Sequence, residues 1–142
     1  MKKIFNFLFL LSLTICFSFC TNKNYTPADY PKGQITFGNG GGITGAVKEF
    51  TVLENGAMFS KANMGAEYEA LKKIDSKMVD QLFNNIKFLK INDIQLNEPG
   101  NRYYFIQVKG KDTDHKITWG GGKDVPKNLT TFYNILNHLT KS

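Results

Sequence analysis

Cysteine is almost absent from this sequence, and the little that is present lies at one end. The 142-residue chain has two cysteines, Cys16 and Cys20, both within its first twenty residues. The 122 residues that follow can therefore form no internal disulfide and contain neither a cysteine nucleophile nor a cysteine ligand for zinc. A segment of this length can bury a core of its own, so we expect one domain stabilised by packing alone.

Arginine and histidine are also scarce. Arg102 is the only arginine, and the two histidines, His115 and His138, are far apart in sequence. The formal net charge is +6 and falls to +4 without Lys2 and Lys3. The other lysines are scattered among acidic residues and form no basic run that could follow a phosphate backbone. We therefore expect no nucleic-acid partner, and the separated histidines predict no metal site.

The first twenty residues have the pattern of an export signal. Lys2 and Lys3 precede an uncharged, mostly apolar run over residues 4–19, and a polar stretch follows from residue 21. The run is shorter than the about 20 apolar residues of a membrane-spanning helix, and no basic cluster follows it. The pattern predicts a signal peptide over residues 1–20 and an exported protein, either periplasmic or anchored to the outer membrane.

Two processing routes are compatible with the end of this signal. Cys20 lies at the junction between apolar and polar residues, where a lipoprotein signal places the cysteine that becomes lipidated. Ser18 suits the preceding lipobox, whereas Phe19 is a poor match. We favour lipidation of Cys20, whose acyl chains would hold the domain at a membrane without a spanning helix. Ordinary signal-peptidase cleavage after Cys20 is the alternative.

A polar stretch and then a strand-rich pattern follow the signal. Residues 21–32 contain two prolines and show no periodicity, which predicts a tether, and a single domain is expected over residues 33–142. Runs of alternating or β-branched and aromatic residues predict strands over residues 34–37, 46–53, 57–61, 102–108 and 115–119. The pair Asn55-Gly56 predicts a tight hairpin turn between the second strand and the third.

Two further segments have helical periodicity. Residues 76–89 follow Asp75, a suitable N-cap, and the last helix is expected to open near Pro126. Their predicted apolar stripes are Met78, Val79, Leu82, Phe83, Ile86 and Leu89 in the first helix, and Leu129, Phe132, Tyr133, Leu136 and Leu139 in the second. The order β-β-β-α-β-β-α predicts an α+β fold, with an antiparallel sheet of about five strands and two amphipathic helices on one face.

A run of glycines after the first strand is a candidate binding site. Residues 38–45, GNGGGITG, contain the G-x-G-x-x-G pattern of dinucleotide-binding loops. A strand rather than a helix follows, so no helix N-terminus is available for a pyrophosphate, and we expect no cofactor. Two interpretations stay open, a flexible connection and a loop whose backbone closely approaches a protein partner. The second assigns partner binding to Gly40, Gly41, Gly42, Ile43, Thr44 and Gly45.

A second glycine run follows Trp119, the only tryptophan in the chain. A single tryptophan at the end of a strand is more often a residue of the core edge than an exposed anchor. Tryptophan beside a mobile loop is nevertheless typical of residues that contribute binding energy at interfaces. Trp119 is therefore a second candidate for partner binding.

No catalytic constellation is visible. Asp112, Asp114 and His115 fall in a predicted hairpin turn, where aspartate is expected for its local hydrogen bonding. Glu67 and Glu69 flank Tyr68, but no nucleophile pairs with them, and no serine lies in an elbow motif. We therefore predict neither catalytic residues nor a metal, and a protein that is not an enzyme.

Several of these features together resemble the emfourin family, small protein inhibitors of thermolysin-type (M4) metalloproteases. The similar segments are Gly41-Gly42-Ile43-Thr44-Gly45, the helix over residues 78–89, Tyr104-Phe105-Ile106-Gln107-Val108, His115-Lys116-Ile117-Thr118-Trp119, and the last helix with Pro126, Leu129, Phe132 and Leu136. The resemblance spans residues 33–140, while the Asn55-Gly56 hairpin and the export signal depart from the family pattern. It implies the α+β fold and inhibition of a metalloprotease by occlusion of its cleft.

The leading prediction is thus an exported, lipid-anchored, non-enzymatic binding domain that inhibits a protease. The glycine loop and the segment after Trp119 would enter the protease cleft, with Ile43 as the apolar contact and Thr44 as a polar one. The alternative from a different class is a structural or assembly lipoprotein that binds another envelope protein. An enzyme is the third hypothesis, which turnover of an ester, peptide or glycoside substrate would revive.

Overall fold

A computed structural model describes residues 23–63, 65–122 and 124–141. The predicted signal peptide and its Cys20 lie outside the described residues. Within the described ranges, no helix is both long enough and apolar enough to span a bilayer.

The described chain forms one seven-stranded, mostly antiparallel sheet with two α-helices. In chain order, the elements are β1 (Gln34–Gly41), β2 (Val47–Leu53), β3 (Met58–Ala62), β4 (Glu69–Ala70), α1 (Ser76–Phe88), β5 (Asn97–Glu98), β6 (Arg102–Lys109), β7 (Asp114–Trp119) and α2 (Lys127–His138), with short 3₁₀ helices at Ile91–Asp93 and Leu139–Lys141. The strands are arranged in the order β4-β3-β2-β1-β6-β7-β5. All pairs are antiparallel except β5 with β7.

The α+β class and the antiparallel sheet confirm the prediction, whereas the number of strands was wrong. The sheet has seven strands rather than five, because β4 and β5 each add a two-residue strand at an edge. Segments this short have no detectable alternation, and only their pairing with β3 and β7 makes them strands.

The first strand also continues beyond its predicted end. Residues 38–41 were predicted to begin a loop, but they are extended and complete β1. Gly38 pairs with Glu49 on one side and with Phe105 on the other, and Gly40 pairs with Val47 and Tyr103. Pairing on both sides satisfies the backbone groups of these glycines, and this outweighs their weak preference for strands.

The β2–β3 connection confirms the predicted hairpin. Gly56 has a φ of +87°, and the N–H of Leu53 donates to the carbonyl of Ala57 at 2.9 Å. The carboxamide of Asn55 accepts a hydrogen bond from the N–H of Ala57 at 3.0 Å. Only Gly56 of the Asn-Gly pair has a positive φ, so the turn is a three-residue loop that ends in a left-handed glycine.

Both helices pack against the same face of the sheet. Alternate residues of the central strands, such as Ile35 and Phe37 of β1 and Ile106 of β6, belong to one buried cluster. The helices contribute Leu82 and Ile86 from α1, and Leu129, Phe132, Tyr133 and Leu136 from α2. The 3.6-residue period of the helices and the two-residue period of the strands thus converge on a single core.

The helix boundaries lie close to the predicted ones. Asp75 caps α1 by accepting hydrogen bonds from the N–H groups of Lys77 and Met78 at 2.9 and 3.4 Å. Met78 was placed on the apolar stripe, but its side chain in the first turn of α1 is 40% exposed. The second helix begins at Lys127, immediately after Pro126.

The chain enters the domain at the end of the sheet where β1 begins. Gly33 and Glu54 exchange hydrogen bonds there, from the Gly33 N–H to the carboxylate at 3.1 Å and from the Glu54 N–H to the Gly33 carbonyl at 2.9 Å. Within the segment predicted as a tether, Pro27 is buried and the rings of Tyr25 and Tyr30 meet edge to face at 5.4 Å. The described part of that segment is therefore in contact with the domain.

Candidate binding surface

The two glycine runs meet at one end of the sheet. Gly41, the last residue of β1, lies opposite Arg102, the first residue of β6, and Trp119 at the end of β7 lies opposite Tyr104. The antiparallel register therefore brings together residues 41–46, 99–102 and 119–122, which we call the glycine-loop end. The predicted binding residues 40–45 and Trp119 are far apart in sequence, and strand pairing through β6 brings them to the same end of the sheet.

The loop at this end is held by backbone hydrogen bonds. The N–H of Gly41 donates to the carbonyl of Ala46 at 3.2 Å, and the N–H of Gly42 donates to that of Asn101 at 2.7 Å. A third bond joins the N–H of Gly45 to the carbonyl of Gly42 at 3.1 Å. All three glycines have positive φ angles of +92°, +79° and +63°, which explains the glycine content of the loop.

Ile43 forms the tip of this loop, and its side chain is 105% exposed relative to the reference state. Its neighbour Thr44 is exposed as well, and its hydroxyl accepts a hydrogen bond from the N–H of Ala46 at 3.4 Å. The Ile43 side chain, which was predicted as the apolar contact, is therefore not buried by any part of the domain.

Gly40 and Gly41 lie in the strand rather than at the tip of the loop. A Cβ atom at Gly40 would come within 2.7 Å of the Tyr103 hydroxyl, because the Tyr103 side chain lies over the glycine. A Cβ atom at Gly41 would overlap the carbonyl oxygen of Asn101. Both glycines are required by close packing within the domain, whereas residues 43–46 are exposed and Gly42 is partly buried.

Trp119 is a core residue, with 6% of its surface exposed. Its indole stacks on Tyr104 at 5.9 Å between ring centroids and meets Tyr133 edge to face at 5.3 Å. The exposed aromatic residue of this cluster is Tyr104, which is 43% exposed and was not singled out from the sequence. No local signal marks this exposure, because Tyr104 shares the register of Ile106 and Val108, which are buried in the core.

Tyr133 connects α2 to the centre of the sheet. Its hydroxyl donates a hydrogen bond to the carbonyl of Gly38 at 3.2 Å. Burial raises the pKa of this phenol above its ordinary value of 10.0, the nearby Tyr104 raises it further, and a hydrogen bond with Asn39 opposes them. The phenol is therefore neutral at physiological pH and acts as a donor.

Arg102 places one positive charge at the glycine-loop end, and Lys48 lies close to residues 41–46 of that end in sequence. A Cβ atom at Gly42 would be 3.8 Å from the Nε atom of Arg102, which places the only guanidinium of the chain beside the exposed loop. The Lys48 ammonium lies 5.2 Å from the ring centroid of Phe50, near the start of β2. A partner that presents carboxylates around an apolar pocket would complement this arrangement.

Asp114 and His115, which were weighed for acid–base chemistry, lie at the other end of β7 and have structural partners. Asp114 accepts a hydrogen bond from the Gln107 carboxamide and forms an ion pair with Lys109 at 3.6 Å. The Nε2 atom of His115 is 3.0 Å from the carbonyl oxygen of Ile94. In the described part of the chain, no group of three or more histidine, cysteine, aspartate or glutamate side chains could hold a metal ion.

Comparison with known proteins adds no relative to this description: no protein-family model matches the sequence, and no curated protein matches it significantly.

Proposed function

We propose that the protein is a non-enzymatic, membrane-tethered binding domain that inhibits a thermolysin-type metalloprotease by inserting the 42–45 loop into its cleft. The observation that carries this proposal is the full exposure of Ile43 on a loop with three backbone hydrogen bonds. Burial of such a side chain is worth roughly 1.5–3 kcal/mol, and Ile43 gains this free energy only in a complex.

The hydrogen-bonded loop also lowers the cost of binding. A flexible loop loses conformational entropy when a partner fixes it, and this loss reduces the affinity. Here Gly41 and Gly42 are tied to Ala46 and Asn101 before any partner arrives. The protease-inhibitor interpretation depends on this rigidity. A substrate must adopt the geometry that the catalytic site requires, whereas an inhibitor must occupy the cleft and remain rigid there.

The position of the N-terminal segment suits a tethered protein. The chain enters beside Glu54, at the start of β1, whereas the 42–45 loop follows the end of this eight-residue strand. At about 3.3 Å per residue, the two ends of β1 are roughly 25 Å apart. A lipid on Cys20 would therefore hold the domain with its glycine-loop end directed away from the bilayer.

The decisive experiment titrates the protein against thermolysin with a fluorogenic peptide substrate. The protein is produced with its own N-terminal sequence in a bacterial host and purified in detergent. We expect stoichiometric loss of protease activity and an inhibitor that stays uncleaved. Ile43→Ala should weaken inhibition by roughly tenfold or more, since interface anchors contribute about 2 kcal/mol.

Phe88→Ala supplies the matched control, because Phe88 is also an exposed apolar residue, 83% exposed, but lies at the end of α1. Its inhibition should equal that of the unmodified protein. Absence of inhibition at micromolar excess would reject the protease, and recurrent copurification of a non-protease envelope protein would support the assembly alternative.

The lipid anchor has a separate test. Mass spectrometry of the processed protein should show an N-terminal Cys20 that carries acyl chains, and Cys20→Ser should move the protein from the membrane fraction to the soluble one. A processed N-terminus at residue 21 without lipid would show ordinary cleavage instead.

A further inference from the structure

A groove of about 380 Å³ lies between α2 and the end of β6, beside the glycine-loop end but on the helix-covered face. It is lined by Tyr104, Trp119, Thr130, Tyr133, Asn134 and Asn137. We propose that this groove binds one or two units of a neutral oligosaccharide, with the Tyr104 ring as the stacking platform and the amides of α2 as the hydrogen-bonding wall. This inference does not depend on protease inhibition.

The aromatic wall is built to be rigid. One face of the Tyr104 ring stacks on Trp119 with an interplanar angle of 28°, and Tyr133 meets Tyr104 edge to face at 5.4 Å. With Trp119 buried behind it, Tyr104 remains 43% exposed. A fixed, partly exposed ring suits the apolar C–H face of a pyranose, because both surfaces are flat and lose little conformational freedom on contact.

The opposite wall comes from a single stripe of α2. Thr130, Tyr133, Asn134 and Asn137 are spaced i, i+3, i+4 and i+7, so they face the same side of the helix. The Thr130 hydroxyl donates to the carbonyl of Lys127 at 3.0 Å and retains its acceptor lone pairs. The carboxamides of Asn134 and Asn137 make no hydrogen bond to any other described residue.

The chemistry of this wall selects a neutral ligand with hydroxyl groups. A carboxamide offers donors and an acceptor side by side, which matches neighbouring hydroxyls that also donate and accept. The described lining residues are all uncharged at neutral pH, and burial keeps the Tyr133 phenol protonated. An anionic ligand would find no cation among them, and a purely apolar ligand would leave the amides unpaired.

The position of Trp119 makes the test direct, because it is the only tryptophan of the chain and lines the groove. Its fluorescence is followed while the detergent-purified protein is titrated with chitotetraose, cellotetraose or maltotetraose. We expect a saturable change with at least one of them, and the preferred one shows whether an N-acetylhexosamine or a glucose chain is the ligand. No saturable change with any, at millimolar concentration, would overturn the proposal.

Variants of the polar wall locate the site. Asn134→Ala and Asn137→Ala should each weaken the affinity by roughly threefold to tenfold, the value of one hydrogen bond. Asn84→Ala, an exposed asparagine on α1, is the matched control and should bind like the unmodified protein. Equal affinity in the Asn134→Ala/Asn137→Ala double variant, or equal binding of tetraalanine at the same site, would refute the assignment.

The same variants separate this site from the 42–45 loop. Ile43→Ala should leave the sugar titration unchanged, and the two asparagine variants should leave protease inhibition unchanged. Loss of both activities in an Ile43 variant would show that the groove and the 42–45 loop form one binding surface rather than two.

Discussion

The hydroxyl of Tyr133 donates a hydrogen bond to the carbonyl oxygen of Gly38, across 95 residues of sequence and at a distance of 3.2 Å. It joins the middle of the last helix to the central strand at the point where that strand has no side chain of its own. The bond holds α2 beside the aromatic cluster of Tyr104, Trp119 and Tyr133, which lies next to the glycine-loop end.

Removal of this hydroxyl should destabilise the protein measurably. Tyr133→Phe keeps the packing of the ring and removes a buried hydrogen bond, which we expect to lower the free energy of unfolding by about 1 kcal/mol. Tyr104→Phe is the control, because its exposed phenol has no hydrogen-bond partner among the described residues. Urea unfolding measures both, and equal stability of the two variants would contradict the structural role of the Tyr133 bond.

The same phenol should make stability depend on alkaline pH. Burial raises the pKa of Tyr133 above 10.0, so the folded state keeps a proton that the unfolded state loses. The contribution is fully present below about pH 10 and is lost as the pH rises through the folded-state pKa. Urea midpoints measured across this range should fall less steeply in Tyr133→Phe than in the unmodified protein.

Tyr30 provides the comparison for that experiment. Its pKa is also raised, first by burial and then by the charge of Glu54, but its phenol lies at the edge of the domain. Tyr30→Phe should therefore change the alkaline dependence less than Tyr133→Phe does. A larger effect of Tyr30 would show that the N-terminal segment is more closely packed than its surface position indicates.

Asp75, the N-cap of the first helix, can be compared with Asp80, a second carboxylate on the same helix. Asp75 accepts two backbone hydrogen bonds, whereas Asp80 is exposed in the second turn of α1. Asp75→Ala should cost about 1 kcal/mol of stability, since it leaves helix N–H groups without an acceptor, and Asp80→Ala should cost none. Thermal unfolding followed by circular dichroism distinguishes the two, and equal melting temperatures would rule out the cap.

The features that could be predicted from the sequence are those determined by contacts between residues close together in the chain. The Asn55-Gly56 hairpin and the Asp75 cap follow from neighbours a few residues apart, and both were predicted. The extension of β1 through Gly38 was not, because it requires two partner strands, one of them about 60 residues further along the chain. The burial of Trp119 and the exposure of Tyr104 depend on where α2 crosses the sheet, which no local pattern records.

Two glycines at the glycine-loop end should respond differently to alanine. Both Gly41 and Gly45 have positive φ angles, which cost an alanine about 1–2 kcal/mol. A Cβ atom at Gly41 would also overlap the Asn101 carbonyl, whereas a Cβ atom at Gly45 meets no heavy atom within 4 Å. Gly41→Ala should therefore be the less stable variant by a further about 1–3 kcal/mol, as in other overpacked sites.

Because of this difference in stability, alanine variants of Gly41 and Gly45 would give different information about binding. Loss of inhibition in a Gly41 variant would report damage to the sheet, because β1 and β6 must separate to admit the side chain. Gly45→Ala keeps the fold and tests the shape of the loop. If the two variants unfolded at the same urea concentration, the close approach between Gly41 and Asn101 would be refuted.

The exposed tip of the loop gives the sharpest separation of stability from binding. Ile43 is fully exposed, whereas Ile35, on the same strand-loop unit, is completely buried. We expect Ile43→Ala to change the free energy of unfolding by less than about 0.5 kcal/mol, and Ile35→Ala to lower it by about 2–5 kcal/mol. Urea unfolding of both variants, beside the protease titration, measures the two effects independently. A folded and fully stable Ile43→Ala that inhibits as well as the unmodified protein would show that the exposed isoleucine is not the contact, because no loss of fold could then account for the result.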